Sequence, residues 1–497
     1  MLKQRFVIQF GSQFGIKILG MIAGLIVARV AGPEVVGVIA FGTAYISIWG
    51  FITGLFGTGH IKMISEGKDF GNCMTTYTWL QGASLFLYIV FVLGFFSYQK
   101  FFLTNAFESR THEIVILILL LANIIDQALN FGNSTFTAKL EMTKANYPLV
   151  LKAVIFHLSR IVIVFLGLRA IGLATANLIS ALLALPLAWR FIKKIDFGRF
   201  NKDLFKEHIR YSIPIFLIVI INAVMENADK LLLNYYTDTK ELGYYSAAFS
   251  IGGVVLLVSN TIGNIFFPLF SGLIARKDWQ AVNQKIDNFQ NFIVLFIFPL
   301  ICLLIIIGTP FLITLIGEKY YPSVLPFKIL LFATYLSIVG IPYGNIINGM
   351  GRFYINVLIN LICLAVFVAS IFFLVNPAYL GLGATGIAIN LVVINAVRNI
   401  LYWMFSFRMG EMKFQVSVFL PYLTIGMVSA IFLWLSPTFL EWSSLWWLIM
   451  SPVYIAIVYY AMYQFGFIGR KNIEQLLDVM NLKKLRDYIN FELRDDK

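Results

Sequence analysis

Long, uninterrupted apolar runs constrain this chain more than any other feature of its sequence. A membrane-spanning helix needs roughly 20 apolar residues, whereas a strand of a membrane β-barrel needs about ten with strict alternation. When the chain is divided where charges, Gly and Pro cluster, the apolar runs that remain have the length of membrane-spanning helices. The sequence therefore predicts an all-α polytopic membrane protein with about 14 transmembrane helices, at 6–30, 36–59, 77–98, 114–133, 148–168, 172–190, 212–235, 244–268, 289–313, 324–347, 353–375, 384–407, 416–435 and 445–465.

Composition supports this prediction. The chain is 59% hydrophobic and only 13% charged, whereas a soluble globular protein carries about 25% charged residues. A soluble fold is therefore excluded. The first apolar run follows Lys3 and Arg5, as in a signal peptide, but it is too long for one and Lys17 interrupts it. We expect it to be a retained first span.

The positive charge of the chain indicates its orientation. Lys and Arg number 38 against 25 Asp and Glu, a net charge of +13. With the N-terminus placed in the cytoplasm, the predicted cytoplasmic pieces hold 26 Lys and Arg, and the opposite connections hold five. Such a bias marks the cytoplasmic side of a membrane protein. It predicts that both termini are cytoplasmic, and it explains the basic excess without a nucleic-acid partner.

A weak internal repeat divides the chain. Residues 29–37, which join spans 1 and 2, have a counterpart 206 residues later in 235–243, which join spans 7 and 8. An even number of spans between the copies predicts two six-helix lobes related by a parallel repeat. The expected domains are lobe 1–194 (spans 1–6), a cytoplasmic interfacial linker helix at 195–211, lobe 212–410 (spans 7–12), spans 13 and 14 in 411–465, and a cytoplasmic amphipathic tail at 466–497.

Four cations inside or at the ends of spans are candidate substrate ligands. Lys17 and Arg160 lie near the predicted midplane, Arg398 lies about two-thirds of the way across span 12, and Arg29 lies at the outer end of span 1. A charge at the bilayer centre costs about 2.5–3.5 kcal/mol, so it normally faces a cavity or a partner. Other interpretations stay open: Lys17 or Arg160 pairs with Asp126, Arg29 caps its helix or snorkels outward, and Arg398 reaches the inner interface.

A second charged group lies in span 7. Glu226 and Lys230 are four residues apart on one helix face, with Asp229 beside them. An internal ion pair explains this spacing. Alternatively, Glu226 or Asp126 binds a coupling H⁺ or Na⁺.

Several motifs of catalysis and metal binding are missing from the sequence. It contains no phosphate-binding G-x-x-x-x-G-K-[ST] loop and no H-E-x-x-H helix. Its three cysteines are isolated thiols far apart in the chain. We therefore expect no cofactor, no metal site and no enzymatic activity.

The chain resembles the polysaccharide-biosynthesis flippases of O-antigen type, which belong to the multidrug/oligosaccharidyl-lipid/polysaccharide transporter superfamily. The resemblance is carried by Gly32-Pro33-Glu34, Ser212-Ile-Pro214, Asp229-Lys230 and the segment 242–248, Leu-Gly-Tyr-Tyr-Ser-Ala-Ala. It implies two lobes around a central cavity in the bacterial inner membrane. It also implies alternating access for a polyprenyl-diphosphate-linked oligosaccharide, moved from the cytoplasmic to the periplasmic leaflet.

The resemblance leaves some alternatives open. A lipid II-type flippase or a multidrug exporter of the same superfamily has a comparable architecture. A membrane glycan polymerase or ligase is disfavoured, because the longest predicted outer connection runs only from about Gln99 to Glu113. The expected partners are the lipid-linked substrate and membrane lipids, with a coupling ion and a polysaccharide polymerase or chain-length regulator as further candidates.

Overall fold

The computed structural model describes residues 2–103, 107–410, 419–440 and 446–467, and these are helical with no strand among them. The first nine helices are α1 (Leu2–Ala31), α2 (Pro33–Ser47), α3 (Phe51–Gly54), α4 (Gly57–Ser65), α5 (Phe70–Phe102), α6 (Arg110–Ala138), α7 (Met142–Phe165), α8 (Arg169–Ile192) and α9 (Lys202–Tyr236). The others are α10 (Thr239–Ala275), α11 (Trp279–Phe292), α12 (Phe298–Ile306), α13 (Gly308–Ile316), α14 (Val324–Gly349), α15 (Phe353–Val375), α16 (Gly383–Met409), α17 (Phe419–Leu440) and α18 (Trp446–Gln464). A π-helical segment, Ile293–Ile297, joins α11 to α12, and a 3-10 segment, Glu318–Ser323, precedes α14.

The helices confirm the predicted fold class of a multi-pass, all-α membrane protein. Every predicted apolar segment overlaps a helix. Among the described residues, nine helices are long and apolar enough to cross a membrane, or up to eleven if each of two bent pairs is one span. The number fourteen stays a prediction.

The two bent spans have similar geometry. Pro33–Ser47 and Phe51–Ser65 meet at 47°, and Lys202–Ile213 and Phe216–Tyr236 meet at 52°. In each case a membrane-length helix is divided into two halves that point in different directions.

Contacts along the chain form two compact units, Met1–Ala247 and Ala248–Lys497. The lobes predicted from the repeat divide the chain elsewhere and stay a prediction. In the first unit α8 packs against α6 and α7, and α1 packs against α7. The face of α8 that permits this packing consists of buried small residues, Ala174, Ala181, Ala184 and Ala188. Small side chains let membrane helices approach closely.

In the second unit, polar side chains join α14 to α16. Asn395 Nδ2 donates to the Ala333 carbonyl at 2.9 Å, and Asn399 Nδ2 donates to the Leu336 carbonyl at 2.7 Å. These two asparagines therefore bind helix to helix. The side chains of Asn260 and Asn264, a similarly spaced pair, lie outside the described residues.

The α17–α18 pair packs against α12 through a core that includes Ile425, Tyr454 and Val458. Pro299 in α12 lacks an N–H, so it cannot bond the Leu295 carbonyl four residues before it. Tyr459 of α18 donates its hydroxyl to this carbonyl at 2.8 Å. The Tyr459 hydroxyl thus supplies a donor to a carbonyl to which Pro299 cannot donate.

The linker helix predicted at 195–211 begins instead at Lys202. Asn201 caps it, since its side-chain oxygen accepts hydrogen bonds from the backbone of Asp203 at 2.8 Å and Leu204 at 3.1 Å. From Lys202 to Ile213 the helix continues into the bent span of α9. The predicted tail at 466–497 lies almost entirely outside the described residues.

Residues before Lys202 are not helical because they bind along the first turns of α5. Asn72 Oδ1 accepts the backbone N–H of Arg199 at 2.7 Å, and Thr75 Oγ1 donates to the Gly198 carbonyl at 2.8 Å. A Cβ on Gly198 would lie 2.7 Å from the backbone N of Asn72, so only glycine permits this approach. The linker is therefore held to the start of α5.

An ion pair adds to this attachment. Lys68 Nζ lies 2.6 Å from both carboxylate oxygens of Glu207 in α9. The hydrogen bond to Glu207 raises the pKa of Lys68 above its ordinary value. Both side chains are partly exposed, so the pair contributes modestly to stability.

Candidate functional site

Arg160 and Lys17 lie on two helices that pack together, α7 and α1. The Arg160 guanidinium is half-buried, 5.1 Å from the centre of the Phe156 ring. A Cβ on Gly24 of α1 would lie 4.0 Å from one of its terminal nitrogens. Lys17 is exposed, about two turns before Gly24 on α1.

Arg160 lies nearer to one end of its helix than the apolar run suggested, and its depth in the membrane stays a prediction. The helix begins at Met142, earlier than the apolar run, and Arg160 lies five residues before its end at Phe165. At 1.5 Å per residue this is roughly 7.5 Å from the end of α7. Lys17 lies near the middle of α1.

Asp126 pairs with neither of these cations. Its Oδ2 lies 2.6 Å from Lys152 Nζ of α7, and each of the two side chains is 19% exposed. The alternative in which Lys17 or Arg160 pairs with Asp126 is therefore wrong. Lys152 precedes Arg160 by eight residues on α7, and it is Lys152 that contacts the carboxylate of α6. Within the described part of the chain, no carboxylate lies within 4.0 Å of Lys17 or Arg160.

The ion pair inside α9 joins Lys230 to Asp229, whereas the sequence spacing suggested Lys230 and Glu226. Lys230 Nζ lies 3.2 Å from Asp229 Oδ1 and donates to the backbone carbonyl of Glu226, not to its carboxylate. Asp229 is buried and accepts the Tyr245 hydroxyl at 2.6 Å. The Glu226 side chain is exposed. Asp229 thus joins α9 to α10, and Glu226 is the carboxylate that remains accessible.

The other two predicted cations are Arg29 and Arg398. Arg29 is exposed in the last turn of α1. Arg398 is half-buried in α16, where it donates to Asn395 at 3.4 Å, and its Nε is buried without a partner among the described residues. Arg398 belongs to the second unit, whereas Lys17, Arg29 and Arg160 belong to the first.

Two glycines at equivalent positions of the repeat form a close helix crossing. A Cβ on Gly37 of α2 would lie 1.8 Å from the Thr239 carbonyl oxygen of α10. A Cβ on Gly243 would lie 1.9 Å from the Pro33 carbonyl oxygen. The 206-residue offset carries Pro33 onto Thr239 and Gly37 onto Gly243, so the crossing is reciprocal. We call these four residues the glycine crossing.

A cavity of about 730 Å³ lies beside the glycine crossing, at the starts of α2, α6, α8 and α10. Its polar lining includes Glu34, Glu108, Arg169 and His112. His112 is buried, with Nε2 2.9 Å from Thr239 Oγ1 and Nδ1 3.0 Å from Ser109 Oγ. The volume of the cavity is in the range of small-molecule binding sites. Sequence reasoning missed this cavity because its residues come from four separate connections, with no common spacing.

The polysaccharide biosynthesis protein family matches residues 26–325, more than half of the chain. The chain belongs to this family. A curated relative, the teichuronic acid biosynthesis protein TuaB of Bacillus subtilis (strain 168), is 23% identical over 134 residues, which is 27% of each protein. The match thus spans about a quarter of that relative's length.

Solved structures with the same fold are transporters. A lipid II flippase MurJ in an inward closed conformation aligns with a TM-score of 0.69 at 16% identity, over 92% of this chain and 98% of that one. An inward-facing multidrug resistance transporter of the MATE family aligns with a TM-score of 0.63 at 17% identity, over 79% and 94%. These likenesses confirm the fold expected for the superfamily.

Proposed function

We propose that this member of the polysaccharide biosynthesis family is a flippase. It moves a polyprenyl-diphosphate-linked oligosaccharide, of the O-antigen repeat-unit type, from the cytoplasmic to the periplasmic leaflet of the bacterial inner membrane by alternating access. Both termini are cytoplasmic in this proposal, and no covalent chemistry takes place. Family membership and the transporter fold support it.

One observation carries the substrate class. Arg160 is half-buried where α7 packs against α1. Asp126, its candidate partner from the sequence, is bound to Lys152 instead. The Arg160 guanidinium contacts His157 Nδ1 at 3.5 Å and the Phe156 ring, neither of which neutralises its charge. Arg binds phosphate oxygens with two parallel hydrogen bonds. A diphosphate headgroup supplies that anion. Lys17 on the neighbouring helix supplies a second positive charge, and Arg29 and Arg398 are further candidate ligands.

The glycan-export context has independent support. TuaB carries teichuronic acid biosynthesis in its name, and the MurJ structure is named for a lipid-linked substrate. A lipid II-type flippase is the second candidate, because MurJ aligns over nearly the whole chain. A multidrug exporter is the third, and it is disfavoured because Lys17 and Arg160 would repel cationic drugs.

The test begins with the substrate itself. Deletion of the gene should cause one lipid-linked glycan to accumulate, and mass spectrometry of extracted lipids identifies it. Purified protein in lipid vesicles should then move this labelled compound across the bilayer with its mass unchanged. Lipid II and the cationic dye ethidium serve as the two competing substrates.

Each result decides between the candidates. Movement of lipid II in preference to the accumulated glycan would establish the second candidate, and movement of ethidium alone would establish the third. Lengthening of the glycan, or its release from the lipid, would replace the transporter proposal by an enzyme.

A further inference from the structure

Two buried histidines meet where the two bent spans come together in the first unit. His60 of α4 and His208 of α9 are both 0% exposed, and their ring centres lie 6.5 Å apart at an interplanar angle of 28°. His60 stacks on Tyr77 of α5 with 3.9 Å between ring centres. α4 is the second half of one bent span, and His208 lies in the first half of the other.

The hydrogen bonds around His60 favour one of its two neutral forms. His60 Nε2 lies 3.2 Å from Thr135 Oγ1, and that hydroxyl already donates to the Phe131 carbonyl at 3.0 Å. A hydroxyl has one hydrogen, so Thr135 accepts and His60 Nε2 donates. His60 Nδ1 is then a bare acceptor, and it is buried without a partner among the described residues.

His208 presents the same arrangement. Its Nδ1 lies 2.8 Å from the Leu204 carbonyl, which can only accept, so Nδ1 carries the hydrogen. Its Nε2 is a second bare acceptor, also buried and unpartnered within the described part of the chain. Two neutral imidazoles therefore bring two bare nitrogens into one buried junction.

Ser212, one turn after His208, completes the set. It is 1% exposed, and its hydroxyl oxygen has no partner in the described structure. A Cβ on Gly59 would lie 3.5 Å from Ser212 Oγ and 3.7 Å from His208 Cδ2, so α4 and α9 meet here without an intervening side chain. A buried acceptor left unpaired costs about 1–3 kcal/mol, which makes three such atoms in one junction costly.

We propose that His60, His208 and Ser212 form a buried site for one water molecule, and that this site keeps the junction closed only while both imidazoles are neutral. The water donates to the two bare imidazole nitrogens and accepts from the Ser212 hydroxyl, which satisfies all three atoms; buried waters typically make about three hydrogen bonds. Both imidazoles stay neutral while the junction is closed, and each can take up a proton when the junction opens. The inference does not depend on which substrate is carried.

The surrounding charges do not already neutralise such a proton. The charged and titratable groups around the junction are Lys62, Glu66, Lys68, Asp69, Cys73, Tyr77, Glu207 and Tyr211. Glu207 is bound to Lys68, and Glu66 lies 3.5 Å from Lys62. These two carboxylates have lysine partners, and Asp69 caps α5 by accepting the backbone N–H of Asn72 at 2.8 Å. A proton on the histidines adds uncompensated positive charge, and burial of such a charge is unfavourable.

Proton uptake should therefore loosen the junction between the two half-helices. The chain contains its own reporter: Cys73 of α5 is 0% exposed and packs with Met63 of α4 and Leu204 of α9. Cys363, also 0% exposed, lies in the second unit and serves as an internal control. Both thiols can be followed in one sample of full-length protein.

The experiment measures alkylation of each cysteine by N-ethylmaleimide, quantified by peptide mass spectrometry between pH 7.5 and 5.5. Each rate is divided by the rate of the same peptide in detergent-denatured protein at the same pH, which removes the intrinsic pH dependence of the thiol. We expect the normalised Cys73 rate to rise at least threefold on acidification while the Cys363 rate stays constant. His60→Gln and His208→Gln should each abolish the rise, and Ser212→Ala should reduce it.

His112→Gln is the matched control, since His112 is another buried histidine, remote from this junction, and the rise should persist in it. A constant Cys73 rate in the wild-type protein would overturn the proposal, and so would an unchanged rise in the His60→Gln/His208→Gln double variant. If the glutamine variants do not fold, the wild-type comparison of Cys73 with Cys363 decides.

Discussion

Gly37 and Thr239 meet backbone to backbone: a Cβ on Gly37 would lie 1.8 Å from the Thr239 carbonyl oxygen. No side chain can be accommodated at that distance, so Gly37→Ala must separate α2 from α10. We expect Gly37→Ala to lower the melting temperature of the purified protein and to abolish transport. Overpacking of this kind typically costs about 1–3 kcal/mol.

The repeat provides a second variant and α5 a control. Gly243→Ala should have the same effect, since its Cβ would lie 1.9 Å from the Pro33 carbonyl. Gly82 lies inside α5 with open space around its Cβ position, so Gly82→Ala should be neutral or stabilising by about 0.5–1 kcal/mol. Equal melting temperatures for all three variants would show that the glycine crossing does not constrain the protein.

The pair formed by Asp126 and Lys152 predicts a specific rescue. Asp126→Asn leaves the Lys152 ammonium without its partner and should lower the amount of folded protein in the membrane. The cost should fall below the ~3–5 kcal/mol of a fully buried pair, because each side chain is 19% exposed. Adding Lys152→Gln should restore the abundance. If Asp126→Asn is instead rescued by Lys17→Ala or Arg160→Ala, the pairing seen here is not the one that stabilises the protein.

Neutralisation of Lys17 or Arg160 should separate binding from stability. Since neither side chain has a carboxylate partner in the described structure, Lys17→Ala and Arg160→Ala should leave the protein at near-normal levels while transport is lost. Lys17→Arg should retain part of the activity because its charge remains. Arg160→Lys should lose more, since lysine cannot make the bidentate contact.

Two measurements check this prediction: an immunoblot gives the abundance of each variant, and mass spectrometry gives the amount of glycan that is exported. Lys139→Ala is a control for loss of charge, since Lys139 lies in the connection between α6 and α7, over the Phe70 ring. Normal export in both alanine variants would remove Lys17 and Arg160 from the proposed site.

The membrane helices could be predicted closely wherever strong breakers flank an apolar run. The predicted segment 353–375 coincides with α15, because Gly351-Arg352 and Asn376-Pro377 bound it. The predicted bounds of the segment 289–313 agree less well with the structure. The structure extends this span back to Trp279 and ends it at Ile306, because the polar positions of α11 lie on one face of a continuous helix.

The partners of the buried polar residues could not be predicted in the same way. Asp126 and Lys152 lie on adjacent helices, and only the packing of α6 against α7 shows that Lys152 reaches the carboxylate before Arg160 does. His60 and His208 are separated by a long stretch of chain with no common motif. Apolar periodicity predicts which segments are helical, but it does not determine which faces of distant helices meet.

The linker attachment predicts a change in proteolysis. Asn72→Ala removes the acceptor for the Arg199 backbone N–H, so the segment before α9 should detach from α5. We expect faster trypsin cleavage after Arg199 and Lys202, measured by time-resolved mass spectrometry in detergent. Asn72→Asp retains an acceptor oxygen at the same place and should cleave at the wild-type rate. Identical rates for Asn72→Ala and the wild type would show that this hydrogen bond does not hold the linker.

The hydroxyl of Tyr459 and the ring of Pro299 should be thermodynamically coupled. Tyr459→Phe leaves the Leu295 carbonyl without its donor, and we expect a loss of about 1 kcal/mol in unfolding free energy. Pro299→Ala restores a backbone N–H four residues after Leu295, which can bond the same carbonyl within the helix. Tyr459→Phe should therefore cost less in the Pro299→Ala background, and denaturant unfolding of the four proteins of this double-mutant cycle measures the difference.

Tyr460→Phe is the control, since Tyr460 is 65% exposed and should tolerate the change. Additive effects of the two substitutions would mean that the Tyr459 hydroxyl does not compensate for the proline.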